Sequence, residues 1–328
     1  MNSKERVKRA ANLGGPDRFP LRYAFCVERS DIAGCGVEAA ADWEPEDPHQ
    51  DEWGFTWDTL SDTIVSSFGQ VKGHPLSDWD GTTGIEVPDP YAAGRLDGIN
   101  RTIREHPEKY IAAGLGLTGM NRATFLRGME QFFVDLYVNR PLALKIIHTV
   151  FEWESAMIKQ IVEIPDVDAV GFADDWGTQK ALMIDPKLWR ELFKPLYAKQ
   201  FEMIRGKGKD VLFHSCGYVF DIIGDLIDIG ANILNVNQPR LMGIDNLQRE
   251  FAGRVCFMCP VDMQTTLIHG SKEEIEAEAR SLVEKLARQE GGFIACMDEG
   301  IDHGYIPRQR IAWMEAAFLK LAEEKVSR

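Results

Sequence analysis

Ala169-Val-Gly-Phe-Ala-Asp-Asp-Trp-Gly177 is a short apolar run closed by two carboxylates, an indole and a glycine, and Val211-Leu-Phe-His-Ser-Cys-Gly217 repeats that plan further on. Between them, Asp185-Pro186 reads as a capped helix start with proline at the first helical position. Leu188, Leu192 and Leu196 continue at helical spacing, Pro195 should kink the helix, and Gly206 stops it. Strand, helix and strand in this order predict two parallel strands joined by a right-handed crossover.

Working outward, the same alternation recurs. Apolar runs at 110–117, 233–236, 255–258 and 293–295 read as further strands. Ser271 with Glu274 forms a capping box opening a helix that carries Ile275, Ala279, Leu282 and Leu286, with Gly291 and Gly292 beyond its end. Pro307 opens a last helix with Ile311, Met314, Ala317 and Leu321 on one face. These six strands, plus one or two at 21–25 or in the 80s, predict an α/β chain folded as a (β/α)8 TIM-like barrel. An open doubly wound sheet is the alternative. Residues 1–108 have another texture, with Asp42-Trp43, Asp51-Glu-Trp-Gly54, Trp57 and Asp78-Trp-Asp80 in a stretch poor in helical periodicity. They read as an N-terminal extension of loops, short strands, helices and a hairpin, packed on the main part of the barrel at 109–328, the whole effectively one domain.

The apolar share of 45% is ample for a sizeable core. Lys and Arg number 37 against 51 Asp and Glu, a net charge of -14, and no basic block interrupts the balance. That argues against a nucleic-acid partner and for a small-molecule role. No run of about 18 apolar residues suggests a membrane span. The charged start at 1–10 lacks an apolar signal core, so a cytoplasmic location is expected. Six cysteines are too few for a disulfide scaffold, leaving free thiols, metal ligands or nucleophiles.

In either fold, chemistry collects where the strands end. The ends carry Asp174, Asp175 and Trp176; His214 and Cys216; Asn237 and Gln238; Cys259 and Asp262; and Cys296, Asp298 and Glu299. Strand side chains alternate, so His214 and Cys216 face one side and can share a metal ion. Cys296 would add a second thiolate, and one imidazole with two thiolates suits Zn²⁺. Three ligands leave a fourth position open, as catalytic zinc requires. Glu299 or Cys259 would close it as a fourth ligand. The plain alternative is a buried cysteine beside a hydrogen-bonded histidine. Cys256 and Cys259 form a Cys-x-x-Cys with no second pair, which reads as core and strand end. Gly114-Leu-Gly-Leu-Thr-Gly119 matches GxGxxG, but Asp135 comes too early to be the acidic partner of a dinucleotide site. The glycines read instead as small residues at the barrel mouth. Asp302-His303 lies in the loop after the Cys296 strand and can reach that mouth.

Asp174-Asp-Trp-Gly-Thr-Gln179, Phe193-Lys-Pro-Leu-Tyr197, Phe213-His-Ser-Cys-Gly217 and Pro260-Val-Asp262 together resemble the uroporphyrinogen decarboxylase superfamily. Asp51-Glu-Trp-Gly54 and His74-Pro-Leu-Ser-Asp-Trp79 resemble its corrinoid-dependent methyltransferase branch. The resemblance covers most of the chain and implies a distorted β/α barrel. It implies zinc on His214, Cys216 and Cys296, and a methyl group moved between a small molecule and a corrinoid. The corrinoid (cobalamin) would arrive on a separate partner protein, because the chain lacks the Asp-x-His-x-x-Gly signature of a cobalamin domain. A methoxylated aromatic ether is the expected donor, as in O-demethylases. Methylation of a thiol, as in coenzyme M methyltransferases, is the alternative. Cys296 is followed by Met-Asp-Glu, where the coenzyme M enzymes tend to carry small residues. Asp174, Asp175 and Glu299 are the expected catalytic carboxylates, with Asp174 or Glu299 as proton shuttle. Asp175, Trp176, Asn237, Gln238, Asp262 and His303 are the expected substrate contacts. A homodimer stays open as the assembly. True uroporphyrinogen decarboxylases use no metal and grip propionates with an Arg-rich N-terminal loop, a pattern that 18–22 does not reproduce. A metal-free decarboxylase is therefore the alternative of another class, and a non-catalytic binding barrel a third.

Overall fold

Eight strands make one parallel sheet in the computed structural model, which describes residues 1–23, 27–58, 70–297 and 306–326. They are β1 Leu21–Tyr23, β2 Ile32–Gly36, β3 Tyr110–Leu117, β4 Ala169–Ala173, β5 Asp210–His214, β6 Ile233–Asn235, β7 Cys256–Cys259 and β8 Phe293–Met297. Each strand pairs with its sequence neighbour from β2 to β8, and β8 pairs with β1. β1 and β2 meet without a shared ladder, so the sheet is a nearly closed (β/α)8 barrel. The six strands expected from 110 onward all form, and β1 falls within the expected 21–25. No strand forms in the 80s. The eighth strand is β2, whose Ile-Ala-Gly-Cys-Gly composition gives no apolar run to read. The first 108 residues thus supply two barrel strands. They also supply an antiparallel hairpin, Thr56–Asp58 with Gln70–Gly73, outside the barrel.

The helix Ser3–Ala11 closes the N-terminal end of the barrel. Asn2 caps it by accepting from the Glu5 N–H, and Lys8 and Arg9 sit in its last turn, where cations suit the helix dipole. Its Val7, Ala10 and Ala11 pack on the inward-facing Ile32, Tyr110, Ala169, Ile233, Cys256 and Ile294. Arg6 ties the helix down by donating to Asp17 and Asp31. With that end plugged by apolar side chains, the polar strand ends are left at the opposite mouth.

Local sequence explains the surrounding helices. The predicted helix after β4 divides into Pro186–Leu192 and Lys194–Arg205, a break beside Pro195. Asp185 caps the first piece through the Lys187 N–H. The buried stripe is Trp189, Phe193, Tyr197 and Phe201, while Leu188 and Leu196 are only half-buried. The Ser271–Glu274 capping box forms in both directions, and Ile275, Ala279, Leu282 and Leu286 are buried behind it. Among the described residues, no helix is long and apolar enough to cross a membrane.

Candidate metal centre

The β4 and β5 ends cross each other backbone to backbone. The Asp174 N–H donates to the His214 carbonyl at 3.1 Å, the Gly177 N–H to the Cys216 carbonyl at 3.1 Å, and the Tyr218 N–H to the Thr178 carbonyl at 2.7 Å. Side chains lock the crossing: the Trp176 N–H donates to Ser215 Oγ at 3.0 Å and the Cys216 N–H to Asp175 Oδ1 at 2.8 Å. Gly217 makes so close a crossing feasible. It sits at φ +77°, and a Cβ there would meet the Gly177 carbonyl oxygen at 2.2 Å. Both loop sequences end in glycine for this reason.

Alternation then sorts the side chains. Asp175, His214 and Cys216 are half-buried, and their ligand atoms lie within 4.8 Å of one another. His214 Nε2 is 3.4 Å from Cys216 Sγ and 3.6 Å from Asp175 Oδ1. Tetrahedral zinc, with nitrogen and oxygen near 2.0–2.1 Å and sulfur near 2.3 Å, sets such donors about 3.5 Å apart. The donor set therefore fits a zinc ion. His214 Nδ1 faces Asn235 Oδ1 at 2.7 Å. Sequence reasoning did not single out Asn235, because it lies inside an apolar run. Its signal was a polar residue level with His214 on the neighbouring strand.

The remaining predicted residues divide. Cys296 is buried on β8, where Arg22 Nη1 donates to its Sγ at 3.6 Å, and it does not belong to the Asp175–His214–Cys216 group. Asp174 is fully buried: its carboxylate accepts from the Met120 and Asn121 N–H groups at 3.0 and 2.9 Å and from the Tyr197 hydroxyl. Burial pushes the Asp174 carboxyl well above the ordinary carboxylate range. It anchors the helix Gly119–Arg127 rather than facing the mouth. Gly119 fits the same anchor, since a Cβ there would meet Asp174 Oδ2 at 2.2 Å. The third glycine of the apparent GxGxxG is thereby explained without a dinucleotide. Trp176, expected to touch substrate, is fully buried edge-on to Phe193 and Trp189. Gln238 accepts from the Gly217 N–H at 2.5 Å, and Asp262 accepts from the N–H groups of Gln264 and Thr265. Both are buried and hold loops. Asn237 is half-buried, its Oδ1 accepting from Asn235 Nδ2 at 3.3 Å. The reserve ligand Cys259 is buried in the apolar core outside the barrel, its thiol pushed up by burial. Glu299 and His303 lie outside the described residues.

Residues 68–318 match the family described as uroporphyrinogen decarboxylase (URO-D). The chain belongs to the URO-D family. No protein of curated function matches the sequence. Among solved structures, a methyltransferase from Methanosarcina mazei is similar over 76% of this chain and 72% of its own, with a TM-score of 0.59 and 21% identity. A glycosylated endo-β-1,4-xylanase from Gloeophyllum trabeum is similar over 69% and 81%, with a TM-score of 0.41 and 9% identity. D-psicose 3-epimerase from Clostridium cellulolyticum is similar over 70% and 84%, with a TM-score of 0.42 and 11% identity.

In this URO-D family member, the Asp51–Gly54 motif packs beside the anchored helix. The Arg122 guanidinium lies against both Trp53 and Trp153, 4.5 and 4.7 Å from their ring centroids, while the two rings meet edge to face at 5.1 Å. Asp51 accepts from the Trp53 N–H at 2.8 Å, and burial pushes its carboxyl up to about 6 from 3.8. Between about pH 4 and 6 the unfolded chain releases this proton while the folded chain keeps it, so stability falls as pH rises through that window. Asp51→Asn is expected to remove about 1–2 kcal/mol of that fall, the solvent-screened share of the shift. Urea titrations at pH 4 and 7 check it, and equal pH slopes in the two proteins would contradict it.

Proposed function

We propose that this chain is a zinc-dependent methyltransferase of the URO-D family. It moves a methyl group between a small molecule, most simply a methoxylated aromatic ether, and a corrinoid carried by a separate protein. The observation that carries the reading is the convergence of Asp175, His214 and Cys216 at the mouth end of β4 and β5. The methyltransferase activity named for the Methanosarcina mazei neighbour supports the same branch. His214 and Cys216 would hold the zinc, with one further donor, Asp175 or Cys296, and the fourth position left open to substrate. Imidazole and thiolate together favour zinc over harder ions. Bound there, zinc supplies Lewis acidity to an ether oxygen or a thiol. Asp175 holds the Cys216 backbone in place through the 2.8 Å bond, and so fixes where the sulfur sits. Arg22 places a cation beside the Cys296 sulfur. Arg18 pairs with Asp31 at 2.8 Å, so it is not offered to a substrate propionate, which disfavours the decarboxylase alternative.

The test is an assay of methyl transfer. Cob(I)alamin is mixed with the protein and a panel of methoxylated aromatic acids, and its absorbance is followed with release of the phenol. Consumption of cob(I)alamin with one phenol per methyl supports the ether reading. Methylation of a thiol by methylcobalamin, with no ether cleaved, would assign the thiol alternative. Metal-independent release of carbon dioxide from a tetrapyrrole acid would overturn both.

A further inference from the structure

We infer that Asn235 is a positioning residue that sets which His214 nitrogen is offered to a metal, an inference resting on the metal reading above. Asn235 is 3% exposed and stands level with His214 on β6, with Met258 level with it on β7. Its Nδ2 donates to the Met258 carbonyl at 2.9 Å and to Asn237 Oδ1 at 3.3 Å. Turning the amide over would press its oxygen against that carbonyl. The arrangement therefore commits Oδ1 to face His214 Nδ1, at 2.7 Å. An oxygen can only accept, so Nδ1 carries the proton. In neutral imidazole the lone pair then resides on Nε2.

Nε2 is the nitrogen facing Cys216 Sγ and Asp175 Oδ1. The opposite tautomer would set two lone pairs against each other at the Asn235 contact and block the metal position with a proton. Three adjacent strands thus fix the ring: β5 carries it, β6 orients it, and β7 orients the amide that does so. A partner of this kind typically raises metal affinity 10–100-fold.

The experiment compares the wild-type chain with Asn235→Ala and Asn235→Asp. Zinc affinity is measured by competition with a chromogenic chelator, and the His214 tautomer by ¹⁵N NMR of the metal-free protein. Expected are an Nδ1–H tautomer in the wild type and zinc binding weakened about 10–100-fold in Asn235→Ala. Asn235→Asp, kept neutral by burial, accepts from Nδ1 through one oxygen and donates its own proton to the Met258 carbonyl through the other, so it should bind within a few-fold of wild type. Equal affinity in Asn235→Ala, equal weakening in both variants, or an Nε2–H tautomer in the wild type would overturn the inference. A wild-type chain that binds no zinc would overturn the metal reading instead, and Asn235 would then be judged on the tautomer alone. The wild-type spectrum also decides the matter should Asn235→Ala not fold.

Discussion

Replacing Asp174 by alanine is expected to lower the stability of the chain by about 3–5 kcal/mol. The carboxylate is fully buried and serves three donors: the Met120 and Asn121 N–H groups and the Tyr197 hydroxyl. Thr118, the residue before the helix Gly119–Arg127, makes no side-chain cap bond, so Asp174 supplies the acceptor from β4. Alanine would leave two backbone N–H groups and one hydroxyl buried without an acceptor, each costing about 1–3 kcal/mol, before any collapse of the site. Burial also pushes the Tyr197 hydroxyl well above its ordinary range, and the neighbouring Asp174 carboxyl adds to the shift. Guanidinium denaturation checks the prediction. A loss below about 1 kcal/mol would contradict the anchoring role.

The second large effect concerns catalysis. His214→Ala is expected to lower methyl transfer about a thousandfold or more while leaving the fold intact. The imidazole is a half-buried group at a strand end, with 19% of its side chain exposed, so its loss opens no core cavity. Its removal takes away the one nitrogen donor that, among the described residues, faces Cys216 and Asp175. Lewis-acid help to a poor leaving group is worth several kcal/mol, and about 4 kcal/mol corresponds to a factor near a thousand in rate. Turnover within tenfold of wild type, in a protein with an unchanged circular dichroism spectrum, would contradict the assignment.

The strands from β3 onward were legible because a parallel barrel buries both faces of each strand, leaving short apolar runs between helices. β2 was not legible, because Ile32-Ala-Gly-Cys-Gly36 is built of small residues. A strand was also expected in the 80s, yet Val87 there is 37% exposed and the segment lies outside the sheet. At the site, the His214–Cys216 pair could be read from alternation alone. The same alternation, applied past the end of β4, would have separated Asp175 from its neighbours. Asp174 and Trp176 point into buried contacts on either side of it. Gln238 and Asp262 were polar at strand ends for a structural reason: buried backbone donors in tight loops need acceptors. Asn235 was hidden because its value lies in a cross-strand register that no single segment displays.

The most direct test of the account is the metal content of the purified protein beside a Cys216→Ala variant. The account predicts one zinc per chain, lost in the variant, with both proteins folded alike. A protein prepared without chelators that holds no zinc would contradict it, and would return the reading to a metal-free barrel of the URO-D family.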